Sequence, residues 1–395
     1  MRITHRNQRV SPSRGPRRLS SVVVALALAA SAPSQSVDID AVVARLAPEV
    51  ERSLLEGHIP SASVALVAGG EVLWTGGFGH ANVWARTPAT PSTVYLIGST
   101  FKAMSTFALL QQMEQGKFEL DQPVNKHLTA FQIRGEDPAH PISFRHLLTH
   151  TSGLPADFGG VPVWSGQLPP PLEEYLENAL RVDRPPAART EYSNLAYSLV
   201  GHLVGRFSGQ GYRDYMQEHI FDALQMRDTA FELRPDMVER LAIPYRYNSE
   251  TGAMQPVDLV RARVWPAGIV YGTIHDQANW LLANLNGGVL NGSRLISPTT
   301  FEEVMKVQFA QFSGPMSSGW GNDTTSYGLT WWITPDHDGE RTFAHSGSVR
   351  GYTAFLAGNL DRKIGFAILT NGDRAHAHLI RLAKLSLELL RANMK

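Results

Sequence analysis

The sequence predicts an α+β fold of sandwich type. An antiparallel sheet is built from both ends of the chain and flanked by helices, and a mostly helical lobe is inserted between its halves. Two observations predict it. Runs with strand character lie early, at 61–67 and 72–75, and again in the last third, at 327–333, 341–345, 351–357 and 364–370. Between them the apolar residues recur at helical spacing, at 172–181, 195–207, 212–222, 275–286 and 297–308. A sheet lobe of about 37–98 and 325–395 and a helical lobe of about 103–310 follow, without an internal repeat or a separating linker.

The elements can be taken in order. Val42, Val43, Leu46, Val50 and Leu54 stripe a helix over 37–56 that stops at Gly57. Ala68-Gly69-Gly70 joins the first two strands as a hairpin. An extended run at 93–97 precedes a helix carrying Phe101, Met104, Ala108 and Leu109, which Gly116 ends. Ser143 caps a short helix over 143–150 that runs into the turn Thr151-Ser152-Gly153-Leu154-Pro155. Residues 155–171, rich in Pro, Gly and Trp, read as a surface loop. Residues 359–363 form a late hairpin loop, and 375–394 a final apolar-striped helix.

Composition narrows the function classes. The 395 residues are 43% hydrophobic and 18% charged, which suits a folded globular chain. No apolar run reaches the ~20 residues that span a bilayer. There is no cysteine, which excludes a disulfide scaffold, a thiol nucleophile, thiolate metal sites and a lipid anchor on cysteine.

Residues 1–36 have the order of a secretory signal peptide. Arg2, Arg6, Arg9, Arg14, Arg17 and Arg18 come without any acid, then an apolar run at 22–30, then small residues. Cleavage after Ala32 or after Ser36 fits, by the general or the twin-arginine route. Without these six arginines, the 36 basic and 36 acidic residues leave a formal charge of −6. That charge does not suit nucleic acid or an anionic membrane surface. The mature chain is expected to be periplasmic or secreted, with no membrane segment, metal, organic cofactor or obligate protein partner.

Three short stretches carry the chemistry. In Ser99-Thr100-Phe101-Lys102, residues three apart share a helix face, with Cβ atoms roughly 5–6 Å apart. Ser99 therefore reads as a nucleophile and Lys102 as its basic neighbour. Free backbone N–H groups at the helix start favour an attacking oxygen. In Tyr192-Ser193-Asn194, also at a helix start, Tyr192 can take the serine proton if Lys102 lowers its pKa, and Asn194 can accept from Lys102. In His345-Ser346-Gly347-Ser348, at a predicted strand end, the N–H of Ser348 can join that of Ser99 on an oxyanion, and Gly347 permits close approach.

Taken together, Ser-x-x-Lys, Tyr-x-Asn and His-x-Gly resemble the serine β-lactamase and penicillin-binding-protein superfamily. The middle Tyr resembles the class C β-lactamase-related branch, which includes class C β-lactamases, D-alanyl-D-alanine carboxypeptidases, D-aminopeptidases and esterases. Leu147 to Pro155, Pro266-Ala267-Gly268-Ile269, Tyr327-Gly328-Leu329 before Trp331, and the run from His345 to Asn371 extend the resemblance over about 40–390. It implies a β-lactamase/transpeptidase-like fold with the site between the two lobes. It also implies an acylated Ser99, Lys102 in proton transfer, Tyr192 as general base, and Asn194 and His345 orienting substrate. The His150 stretch would be structural.

One position departs from the family pattern. His345 stands where β-lactamases carry a lysine, and a histidine is mostly neutral at pH 7. Neutral esters or amides are then favoured over β-lactams, unless Arg350 restores a positive charge. The expected function is an exported serine hydrolase, esterase- or peptidase-like. A true β-lactamase or D-alanyl-D-alanine carboxypeptidase is one alternative, and a non-catalytic module binding cell-wall peptides another. His376 and His378, two apart, would face apart on a helix and make a poor metal pair.

Overall fold

The computed structural model describes residues 36–156, 160–162, 170–262, 265–310, 320, 326–335 and 338–395, with side chains left out of account at 160–162 and 261–262. The expected signal peptide lies outside them but for Ser36, as do most of the 155–171 loop and 311–319.

The helices include α1 (Ile39–Glu56), α2 (Lys102–Glu114), α3 (Phe144–Leu148), α4 (Leu172–Ala179), α5 (Asn194–Ser208), α6 (Tyr212–Met216), α7 (Ile274–Leu285), α8 (Pro298–Met305) and α9 (His376–Ala392). The strands include β1 (Ser61–Ala68), β2 (Glu71–Asn82), β3 (Thr87–Pro88), β4 (Tyr95–Leu96), β5 (Tyr271–Gly272), β6 (Ser326–Tyr327), β7 (Trp332–Pro335), β8 (Arg341–Val349), β9 (Tyr352–Asn359) and β10 (Ile364–Thr370). One sheet runs in the order β6-β7-β8-β9-β10-β1-β2-β3, and its ladders are antiparallel. The first and last parts of the chain meet where β1 pairs β10, from Ala62↔Thr370 to Ala68↔Ile364.

Side-chain alternation explains why the middle of this sheet is buried on both faces. Val64, Leu66, Phe366 and Ile368 pack with Val42, Leu46 and Val50 of α1 and Leu379, Leu382 and Leu390 of α9. Ala65, Val67, Ala367 and Leu369 point the other way, into the core shared with α7, α2 and α5. Strands covered on both sides read as continuous apolar runs, as β10 does. Helix α2 is buried nearly all round, which places it at the centre of the helical part. Its polar residues are paired: Ser105 Oγ lies 2.7 Å from the Tyr212 hydroxyl and donates to Pro266 O at 2.8 Å.

Apart from shifts of one or two residues, six assignments differ from expectation, the first being β2, expected at 72–75 and running from Glu71 to Asn82. The 327–333 run is two strands, because the amides of Leu329 and Thr330 bond to Val304 O and Leu148 O instead of a strand. The strand expected to end at His345 continues to Val349. α7, assigned to the helical lobe, packs on β1 and β10 instead. The 212–222 helix divides into α6 and a π-helical turn, Gln217–Asp222, and the 297–308 helix ends at Met305. Among the described residues, no helix is long and apolar enough to cross a membrane.

Candidate active site

Backbone packing brings Ser99 to the centre of the site. β4 pairs β5, and Ile97 N donates to Val270 O at 3.0 Å. The chain then turns at Gly98 (φ +58°) into a 3₁₀ turn, Gly98–Phe101, that leads into α2. Ser99 sits in that turn and is 7% exposed. Strand β8 crosses against it. A Cβ at Gly347 would lie 2.2 Å from Ile97 O and 3.1 Å from Ser99 N, so only glycine lets the strand come this close. From the other side, a Cβ at Gly268 would lie 2.9 Å from Ser99 N.

Among the described strands, none pairs the β8 edge beside Ser99. β7 pairs β8 only between Arg341 and Ala344. The β8–β9 hairpin closes with Val349↔Tyr352 around the two residues Arg350 and Gly351. Counted from that closing pair, antiparallel alternation turns the N–H of Ser348 outward, toward that edge. Ser348 N is next to Gly98, where a Cβ would meet it at 2.7 Å. The amides of Ser99 and Ser348 therefore lie side by side.

Lys102, the first residue of α2, is fully buried. Its Nζ lies 3.0 Å from Ser99 Oγ, 2.8 Å from Asn194 Oδ1 and 2.7 Å from Ala267 O. Asn194 Nδ2 donates to Ala156 O at 3.3 Å, which orients the amide with its oxygen toward the lysine. Burial holds the Lys102 pKa well below the ordinary lysine value. The helix N-terminus, which disfavours a cation, acts in the same direction. Two of the three partners can only accept, so they take both N–H groups of a neutral amine. The nitrogen lone pair is left directed at the Ser99 hydroxyl.

Tyr192 flanks this pair, with its ring centroid 4.8 Å from Lys102 Nζ. Its buried hydroxyl has Ser99 as its polar neighbour but completes no hydrogen bond. The sequence expectation was that Lys102 lowers the tyrosine pKa. Burial instead pushes it upward, because the phenolate would lose its water. Burial thus disfavours both the phenolate of Tyr192 and the ammonium of Lys102.

The predicted residues Ser99, Lys102, Tyr192, Asn194, Gly347 and Ser348 are thus gathered at one place. His345 is there too, but not in the expected posture. It is fully buried and stacked on Trp332, centroids 5.5 Å apart. Its Nδ1 donates to Ser346 O at 2.6 Å, and its Nε2 has no hydrogen bond. Burial lowers its pKa to about 3, so the ring is neutral. Arg350 is exposed at the hairpin tip and makes no hydrogen bond or ion pair among the described residues.

Two groups escaped the sequence reading as parts of the site. The Ala267 carbonyl has no side-chain signature. The signal for it was Gly268, whose φ of +136° suits glycine alone. The other is His150, whose ring centroid lies 4.2 Å from that of Tyr192. Among the described residues, no group of three or more His, Asp or Glu is placed to hold a metal.

The family model described as Beta-lactamase matches residues 39–390. Protein flp of Staphylococcus aureus strain MW2 is 26% identical over 82% of this chain and 61% of its own. The chain thus spans about three fifths of the curated relatives it matches. The octameric penicillin-binding protein homologue from Pyrococcus abyssi superposes with a TM-score of 0.72 at 25% identity, over 89% of this chain and 79% of that one. The beta-lactamase/D-alanine carboxypeptidase from Yersinia pestis does so with a TM-score of 0.71 at 20% identity, over 88% and 97%. The latter likeness is one of fold.

Proposed function

The chain belongs to the beta-lactamase family, and from that premise we propose that it is an exported serine hydrolase acting through an acyl-enzyme on an ester or amide bond. The observation that carries this reading is the position of Lys102 Nζ, 3.0 Å from Ser99 Oγ with two acceptor-only partners behind it.

In the first step the Oγ–C bond forms as the Oγ–H proton passes to the Lys102 lone pair. The carbonyl π pair moves to oxygen, where the amides of Ser99 and Ser348 receive it. One such donor typically contributes ~2.7–4 kcal/mol to the transition state. On collapse the leaving group takes a proton from Tyr192, which regains it from the Lys102 ammonium through the space beside Ser99. Water then attacks the ester on Ser99 by the same relay, and the proton returns to Oγ.

The neutral, stacked His345 supports neutral acyl substrates, since it supplies no cation for a substrate carboxylate. The exposed, unpaired guanidinium of Arg350, two residues from Ser348, favours the second reading, a β-lactamase or D-alanyl-D-alanine carboxypeptidase.

Intact-mass labelling with a fluorophosphonate tests the nucleophile. Wild type should gain one adduct and Ser99→Ala none; an adduct on Ser99→Ala would move the nucleophile elsewhere. Benzylpenicillin then separates the readings. A lasting adduct indicates a penicillin-binding, peptidase-like enzyme, and consumption with little adduct a β-lactamase. Reaction only with esters or amides supports the neutral-substrate reading.

A further inference from the structure

We infer that His150 is a positioning residue that aims the Tyr192 phenol at Ser99; its catalytic consequence rests on the hydrolase reading above. His150 lies at the end of the turn that follows α3, in the left-handed region (φ +56°). It grips the Tyr192 segment at two points. Its carbonyl accepts from Glu191 N at 2.7 Å, and its Nδ1 accepts from Ser193 N at 3.1 Å.

These two amides flank Tyr192. Ser193 is extended (φ −124°, ψ 114°), and in extended chain the amides of residues two apart point the same way. A side chain and a main chain that accept from both therefore fix the rotation of the segment about its own axis. That rotation sets the direction in which the Tyr192 side chain leaves the backbone. The imidazole completes the clamp by lying against the phenol ring, 31° from parallel, and against Tyr197 at 5.1 Å.

The left-handed backbone is what lets the carbonyl and the side chain of one residue serve the same segment. It also narrows what can replace His150, because Asn tolerates this conformation and branched residues do not. Because Nδ1 accepts, the ring proton is on Nε2, and the clamp uses a single tautomer. The neighbouring turn continues the grip through Ala187 N to Thr151 O at 2.8 Å and Ser193 Oγ to Pro155 O at 2.6 Å. Those bonds hold the loop in general, whereas the two to His150 bracket Tyr192.

Two substitutions separate positioning from bulk support. His150→Asn keeps an acceptor for Ser193 N–H and removes the ring. His150→Phe keeps a ring and removes the acceptor. A misplacement of about 1 Å can cost ~100-fold in rate. His150→Phe is therefore expected to slow the maximal rate of fluorophosphonate labelling by roughly 10- to 100-fold with reagent affinity unchanged. His150→Asn should recover most of that rate.

Exchange of the Ser193 amide, read by NMR, gives a second measure independent of activity. It should lose protection in His150→Phe and keep it in His150→Asn. Should His150→Phe not fold, loss of both rate and protection in His150→Asn would overturn the proposal. So would a folded His150→Phe with the wild-type rate and a protected Ser193 amide. If wild type is not labelled at all, the hydrolase reading fails by itself, and protection of the Ser193 amide still decides the clamp.

Discussion

The two sides of Ser99 differ in how completely their polar atoms are matched. On the Lys102 side each partner of the buried amine has a definite role, Asn194 Oδ1 and Ala267 O accepting and Ser99 Oγ facing the lone pair. On the other side Tyr192 Oη and His345 Nε2 are buried without a hydrogen bond among the described residues. A buried polar atom left unmatched costs roughly 1–3 kcal/mol. The contrast is between a side whose polar atoms are already matched and a side that keeps bonding capacity to spare.

The strongest way to break this contrast is to remove the amine. Lys102→Ala should label with fluorophosphonate ~10³-fold more slowly, within the usual range for a lost general base. A loss below about tenfold would mean that Lys102 only supports the structure, and the initial labelling rate decides between them.

A smaller effect is expected on the unmatched side. His345→Lys places an ammonium where the ring is now neutral and stacked on Trp332. Penicillin turnover should rise relative to ester turnover by about tenfold, the worth of one hydrogen bond to a charged group. Paired steady-state assays on both substrates measure the ratio, and an unchanged ratio would remove the argument from His345.

A further effect lies away from the site and tests whether burial governs these pKa values generally. Asp276 accepts from Asp228 N and Thr229 Oγ1, both at 2.8 Å, and burial raises its pKa from 3.8 to about 6. A raised carboxyl pKa makes the folded state bind the extra proton, so stability falls as pH rises from about 4 to 6 and stays lower above that. Asp276→Asn should therefore stabilise the protein at pH 8 by up to about 3 kcal/mol and not at pH 3.5. Urea titrations at the two pH values check this; equal changes at both would show that Asp276 is not held by burial.

Much of the fold was legible because its signals are local. The apolar run at 364–370 coincides with β10 (Ile364–Thr370), and the stripe from Val42 to Leu54 lies on α1. Ser99 and Lys102 were legible together because three residues along one turn bring them within reach. What was not legible depends on distant packing. The Ala267 carbonyl reaches Lys102 from 165 positions away. The direction of the Tyr192 pKa depends on how deeply its hydroxyl is buried, which no tripeptide encodes. The posture of His345 depends on Trp332 in a neighbouring strand, from a run that read as one strand and folds as two.

The central claim is that a buried, neutral Lys102 activates Ser99. The pH dependence of fluorophosphonate labelling of wild type, followed by intact mass, tests it most directly. Burial predicts that the rate reaches its plateau well below the ordinary lysine pKa of 10.5. A rate that keeps climbing through pH 10, as for a water-exposed amine, would contradict it.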